Sequence, residues 1–460
     1  MTRRLEVDLA VLGGGAAGLA AVREARRRGA TALIVNDGPL GGDCTFTGCV
    51  PSKTVIEAAS DGLSFTEAFD RARTVVARIA ATETADVLRA EGIEVVDGEG
   101  TLLPRRRLRT DDGTEVTARG VVLALGSRPL VPPIPGVADV EPLTSDTLWQ
   151  LRTAPASIVV IGGGAIGCEL SQALARLGVK VTLVELTPRL LLREEPAASA
   201  IVERELVATG VTVHTGTSVE SIEPAVCGAA VRLSNGATVT AERILLAVGR
   251  RPNADRGGLV EAGVDLDYRG YIVTGSDLTT SVDGVYAAGD ISGNVQLTHA
   301  ADHMGRLAAT NILSRFGRKR FDGEQIPAVT FTEPEVARVG LTEAEAAAAI
   351  KGAKVAELPL EEHDRALAAC ATSGYIKLIA GPNPLIGHTG GGRLVGATVV
   401  AERAGEMIAE LTLALRLRTF LGRLALTVHP YPTWSYAIPK AAAQFFTTIE
   451  GRTARPAEAD

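Results

Sequence analysis

Aromatic residues are scarce in this chain of 460 residues, at 4%. Basic charge is not in excess either. The net charge is −7, so no global positive field recruits nucleic acid or an anionic membrane. Two basic clusters do occur: Arg105, Arg106, Arg107 and Arg109, then Arg318, Lys319 and Arg320. Both follow turn-like residues and read as solvated surface. No run of about eighteen apolar residues exists, which excludes a candidate membrane-spanning helix. The apolar run in MTRRLEVDLAVLGGG is too short for a secretory leader and flows into a glycine motif, so it reads as a first strand. The five cysteines are odd in number and unevenly spread, which is no disulfide framework. A cytoplasmic setting is the expectation, where a close cysteine pair suggests redox chemistry or metal binding instead of a structural staple.

What the chain has is length, glycine and repetition. Its 46% hydrophobic content and 50 glycines fit an α/β protein of two or three domains. VDLAVLGGGAAGLAAVREARRRGATALIV carries Gly13, Gly15 and Gly18 between a strand pattern and a helix pattern. SIVVIGGGAIGCELSQALARLGVKVTLVEL repeats the plan with Gly162, Gly164 and Gly167. Such glycines allow a tight turn, close approach of backbone to a pyrophosphate, and tight helix–strand packing. One pattern is weak; two in the right context predict two Rossmann-like dinucleotide-binding domains. LALGSRP, with Gly126, recurs as LAVGRRP, with Gly249, each closing an apolar run. The residue after the second strand of each unit should meet the adenosine ribose. Glu185 stands there in the second unit and would repel a 2′-phosphate, which favours NAD(H) over NADP(H); Arg189 and Arg193 keep the alternative open. Asn36 is its uncharged counterpart in the first.

Next comes GGDCTFTGCVPSK, with Gly42, Cys44 and Cys49, apparently opening a helix over 52–60. Zinc lacks a second Cys or His pair nearby at ligand spacing. Two inert thiols remain possible, and a reversible disulfide is the best reading, with a helix N-terminus to lower a thiolate's pKa. Cys168, Cys227 and Cys370 sit singly and read as structural.

At these residues the chain resembles the FAD-dependent pyridine nucleotide–disulfide oxidoreductases, nearly end to end. The resemblance rests on the glycine motifs, the C-x4-C-V-P-S-K segment, the G-x-R-P strand ends and VYAAGD at 285–290. TFTEPEVARVGLTE at 330–343 and GATVVAERAGEMI at 396–408 resemble that family's α+β dimerisation domain. The resemblance implies an FAD domain at 1–150 and 276–325, an NAD(P) domain at 151–275 and a dimerisation domain at 326–460. It implies that FAD lies along Gly13, Gly15 and Gly18, with Asp290 on its ribityl chain and Lys53 near the flavin, paired with Glu169. Cys49 would be the flavin-facing thiolate and Cys44 the thiol that attacks substrate. His299 and His303 resemble a helix start under the flavin. No resident metal is implied. Asp43 stands where the family usually has Thr, and a carboxylate beside Cys44 would tend to raise that thiol's pKa. Asn36 replaces the usual acid.

The segment HPYPTWSY at 429–436 gathers two of the six tyrosines and one of the two tryptophans. In disulfide-reducing relatives a His–Glu acid/base dyad stands here, contributed by the neighbouring subunit of a homodimer. Tyr431 and Tyr436 occupy those places, and a phenol of pKa near 10 is a poor proton shuttle at neutral pH. His429 lies two residues away, either a partial replacement or an interface packing residue. Tyr431–Pro432 is a plausible cis peptide. The expectation is an NADH-driven flavoprotein with a live cysteine pair, serving an atypical disulfide or a thiophilic small molecule. Thiol-independent diaphorase or quinone reduction, mercuric-reductase-like chemistry, and a redox-responsive binding protein are the alternatives.

Overall fold

A computed structural model describes residues 3–459. The chain forms two compact units. The first comprises Met1–Pro132, Leu143–Ala154 and Val248–Gly323. Its sheet places the strands in the order Glu94–Asp97, Ala32–Asn36, Arg4–Leu12, Glu115–Leu123, Arg107–Thr110, Gly100–Leu103, with Val285–Ala287 also on Glu115–Leu123. The pairs along Arg4–Leu12 are parallel, Leu9 facing Ala32 on one side and Gly120 on the other. Residues 9–12 are buried as a continuous run, as a strand covered on both faces requires. The crossover helix Ala16–Arg27 is alanine-rich where it meets Thr298–Leu313, so the two helices approach closely. A Cβ on Gly305 would run into the backbone of Ala17, which marks that approach.

The cysteine-bearing segment continues into two helices, Cys49–Ser60 and Phe65–Ala80. The first begins three residues earlier than its sequence pattern suggests, because Gly48 can supply the non-helical entry ahead of Cys49. The second starts on a capping box, Ser64 with Glu67, and stacks Phe65 on Phe69 with ring centres 4.1 Å apart. Trp149 caps this cluster by donating its indole N–H to the Thr47 carbonyl at 2.7 Å.

The second unit comprises Pro133–Pro142, Pro155–Ala247 and Glu324–Asp460. Strands Thr212–His214, Lys180–Val184, Ser157–Ile161 and Arg243–Leu246 form a parallel sheet, with Ala165–Arg176 as crossover helix. A separate antiparallel sheet runs from Ala328–Thr330 through Glu335–Gly340, Arg393–Ala401, Tyr375–Gly381 and Lys354–Pro359 to Arg455–Pro456. Helix Ala404–Arg416 buries Met407, Ile408 and Leu411 against it, in one core with Leu378 and Val399. Among the described residues no helix is long and apolar enough to cross a membrane.

Candidate functional site

In the first unit the strand Arg4–Leu12 ends at Gly13, whose φ of +109° is closed to side-chained residues. A Cβ on Gly18 would drive into the Gly13 carbonyl, so the turn needs glycine at both places. Gly15 caps the helix and faces open space, the nearest atom to an added Cβ being the Gly42 Cα at 3.9 Å. Gly126, at φ +67°, also has nothing within 4 Å of an added Cβ. These glycines, with a helix N-terminus aimed past them, form a cradle that fits the pyrophosphate of a dinucleotide such as FAD. Asn36 braces the turn, accepting the Gly14 N–H at 2.7 Å and donating to the Gly38 carbonyl at 2.7 Å.

Asp290 lies half-buried beyond the end of Val285–Ala287 and accepts the Ser127 hydroxyl at 2.6 Å. Arg250, 17% exposed, donates to the Ser127 hydroxyl at 2.7 Å and its carbonyl at 2.8 Å, and sits 3.8 Å from Asp290. It also pairs with Asp43. Asp43 therefore turns its charge to Arg250 instead of Cys44; burial, opposed by Arg250, raises its own pKa. Gly249, at φ +118°, faces open space beside this cluster in sequence.

Cys44 lies in the short helix Gly42–Phe46 and Cys49 opens the next helix; both are thiols here, Cys44 half-buried and Cys49 exposed. Cys49 Sγ lies 3.3 Å from the hydroxyl of Thr298, the first residue of Thr298–Leu313, and His299 is exposed in the same turn. The Cys44 thiol is pushed strongly upward, first by its hydrogen bond to Cys49 and then by burial. Lys53 is half-buried one turn along the helix from Cys49.

The second unit repeats the nucleotide turn. Gly162 has φ +110°, Gly164 caps the helix over open space, and a Cβ on Gly167 would meet the Gly162 carbonyl. Glu185 takes the bracing role, accepting the Gly163 N–H at 2.5 Å and the Thr187 N–H at 2.6 Å. Arg189 points its guanidinium at the Leu191 and Leu192 carbonyls, at 3.2 and 2.8 Å. Arg193 is exposed. Glu169, 4% exposed, accepts the Phe331 N–H at 2.8 Å.

In the C-terminal segment Tyr431–Pro432 is cis. Tyr431 is 65% exposed, packs edge-on against Tyr436 with ring centres 5.5 Å apart, and donates to Asp364 at 2.9 Å. That bond, first of all, raises the phenol's pKa. His429 is inside: its side chain is 7% exposed, Nε2 is 2.9 Å from Glu410 and Nδ1 is 3.0 Å from the Thr427 carbonyl. Both ring nitrogens face acceptors, so neither is positioned to take a proton from a substrate. Sequence reasoning passed over Arg250, Thr298, Asp364 and Glu410. Arg250 sits inside the repeated LAVGRRP and Thr298 just before His299, whereas nothing local marks Asp364 or Glu410.

The Pyridine nucleotide-disulphide oxidoreductase family matches residues 7–305, and the dimerisation domain of the same family matches residues 326–442. The chain is 34% identical to a mercuric reductase of Streptomyces lividans, over 96% of each protein. It is 34% identical to a dihydrolipoyl dehydrogenase of Thermus scotoductus, covering 95% of this chain and 96% of that one. The structure matches the Cu(II) complex of the HOCl-induced flavoprotein disulfide reductase RclA from Escherichia coli with a TM-score of 0.87 at 25% identity, covering 96% of this chain and 99% of that one.

Proposed function

The chain belongs to the pyridine nucleotide–disulphide oxidoreductase family, and from that premise we propose a cytoplasmic, homodimeric NADH oxidoreductase whose cysteine pair serves a thiophilic acceptor. It is an FAD-dependent enzyme that uses a pyridine nucleotide. The observation that carries the finer reading is Cys44 and Cys49 in direct contact at a helix start, with Tyr431 tied to Asp364 where a proton shuttle would be expected. A metal ion or strongly electrophilic sulfur compound bonds to sulfur without needing a leaving thiolate protonated. An ordinary disulfide does need it.

In this reading Gly13, Gly15, Gly18, Asn36, Gly42, Gly126, Asp290, Lys53 and His299 hold FAD. Gly162, Gly164, Gly167 and Glu185 hold the nucleotide, and Gly249 is a further cofactor contact. FAD, when bound, supplies the hydride-to-electron-pair chemistry between nicotinamide and disulfide. With FAD bound, a Cys44–Cys49 disulfide would accept an electron pair and one proton, its S–S bond opening to one thiol and one thiolate. The thiol–thiolate pair would then give two electrons to the acceptor, release that proton to solvent or the reduced product, and re-form the S–S bond. Glu185 disfavours a 2′-phosphate, and Arg189 is occupied by backbone carbonyls, which supports NADH over NADPH. The division into an FAD domain at 1–150 and 276–325, an NAD domain at 151–275 and a dimerisation domain from 326 belongs to the same proposal. So does a shared site, with the cysteines from one subunit and Tyr431 and Tyr436 from the other.

Steady-state turnover by wild type and Cys44→Ser tests this, with mercuric or cupric ion, a chromogenic disulfide and a quinone as acceptors. Loss with the metal ions and disulfide supports the cysteine route; unchanged turnover of every acceptor refutes it. The second reading, thiol-independent quinone or dye reduction, is favoured by the same raised Cys44 pKa, which makes that thiol a weak nucleophile. Quinone turnover surviving in Cys44→Ser while all other acceptors are inert in wild type would select it.

A further inference from the structure

The two basic clusters that read as solvated surface in the sequence meet in space. Arg106 from the first and Arg318 from the second line one cavity of about 340 Å³ in the first unit, together with Arg119 and Arg315. Among the described lining residues Asp283 is the only carboxylate, and Tyr286 forms part of the wall. In a protein of net charge −7, four guanidiniums around one pocket are a strong local reversal of sign.

The backbone is shaped around these side chains. Arg106 has φ +59° and lies across Gly284, where an added Cβ would collide with the Arg106 side chain. Arg318 is held by Asp277 at 3.2 Å and lies 5.9 Å from the Tyr286 ring centre. Arg106 is 3.8 Å from Asp283. Arg119 and Arg315 make no hydrogen bond or ion pair among the described residues. Two guanidiniums are thus fixed by the fold and two are left with their donor forks uncommitted.

We propose that this cavity is a binding site for a small phosphate anhydride, a di- or triphosphate. The fork of a guanidinium matches two phosphate oxygens at once, and several forks suit a ligand with adjacent phosphates. The volume falls within the range of about 300–1,000 Å³ usual for small-molecule sites. The cavity lies at the C-terminal end of helix Thr298–Leu313, whose partial negative charge opposes an anion. That end carries roughly half a charge; Asp283 and Asp277 each pair with one of the four guanidiniums, and Arg119 and Arg315 outweigh it. The first residue of the same helix touches Cys49, so the site stands about 24 Å from the redox pair, at 1.5 Å per residue over 16 residues. It shares no residue with the glycine turn at 13–18.

The test is calorimetric titration of inorganic pyrophosphate into FAD-loaded protein saturated with NAD, at low ionic strength. Saturable binding that weakens steeply with added salt is expected. Arg315→Ala should lower affinity by about tenfold, and Arg119→Ala with Arg315→Ala by about 100-fold, for the charge-assisted bonds lost. Arg315 supports no other group among the described residues, and Arg119 is only the weakest of the influences that lower the pKa of Asp8, so melting temperature and NADH turnover should stay at wild-type values. ATP binding more tightly than tripolyphosphate would assign a nucleotide to the site, and equal binding would assign the phosphates alone. Absence of binding, affinity unchanged in both variants, or citrate binding as tightly as pyrophosphate would overturn the proposal.

Discussion

Lys377→Met should destabilise the second unit by a measurable and pH-dependent amount. Lys377 is 7% exposed and its ammonium lies 2.7 Å from Glu343, 3.2 Å from Glu195 and 3.5 Å from Glu357. Glu195 caps helix Pro196–Ala208 beside the nucleotide-binding sheet, whereas Glu343 and Lys377 belong to the C-terminal sheet region, so the lysine joins two parts of one unit. Burial works against every charge in the cluster. Even so, Glu343 and Glu195 hold Lys377 above its ordinary pKa, and Arg455 and Lys377 hold Glu343 below its own. Removing the lysine leaves Glu195, 3% exposed, without its cation while Arg455 still pairs with Glu343, and breaking a buried pair in this way costs about 3–5 kcal/mol. For a unit of this size that corresponds to a fall in melting temperature of roughly 6–20 °C.

The sign of the pH dependence follows from the shifts. A depressed Glu343 contributes stability above its ordinary pKa of 4.5 and loses it as pH falls below that. A raised Lys377 contributes below 10.5 and loses it above. Wild type should therefore be flat from this cluster's standpoint between those limits. The Met variant should regain stability on acidification as Glu343, left with Arg455 alone to oppose its burial, takes up a proton. Urea midpoints at pH 8 and pH 5 for both proteins would read this out. Equal midpoints for the two proteins at pH 8 would refute the argument that the lysine compensates buried charge.

Alkylation of Cys44 in reduced Cys49→Ser protein should rise about tenfold per pH unit from pH 6 to 9, because burial still disfavours its thiolate. A rate plateau near pH 7, followed by mass spectrometry, would contradict this. Glu185→Gln leaves one oxygen for two backbone N–H groups at 2.5 and 2.6 Å, and should raise the KM for NADH by at least about tenfold, the cost of a charged hydrogen bond. An unchanged KM with improved use of NADPH would show repulsion without bracing. His363 is 1% exposed; burial lowers its pKa against the opposing bond to Thr433, so stability should fall as pH drops below its ordinary 6.5. His363→Gln should flatten that slope in melting temperature, and an unaltered slope would exclude His363 as its source.

The sequence by itself determined the two strand–glycine–helix units, because the constraint is local: Gly18 has no room for a Cβ against Gly13, nor Gly167 against Gly162. It also placed Cys44 and Cys49 in a glycine-flanked turn at a helix start, since spacing and entry geometry are properties of a dozen consecutive residues. Charge partners were not legible. Asp43 beside Cys44 in sequence suggests a carboxylate acting on a thiol, but folding brings up Arg250 from 207 residues away and takes that charge. Nothing near His429 in sequence marks its partner, Glu410, which lies 19 residues earlier and meets its ring at 2.9 Å. Arg106 and Arg318 are solvent-exposed in part, as their runs suggest, but that the two line one cavity is set by the tertiary fold. Backbone sterics act between neighbours in sequence and can be read there. Electrostatic pairing acts over a few ångströms of space, and which charges share that space is decided by the tertiary fold.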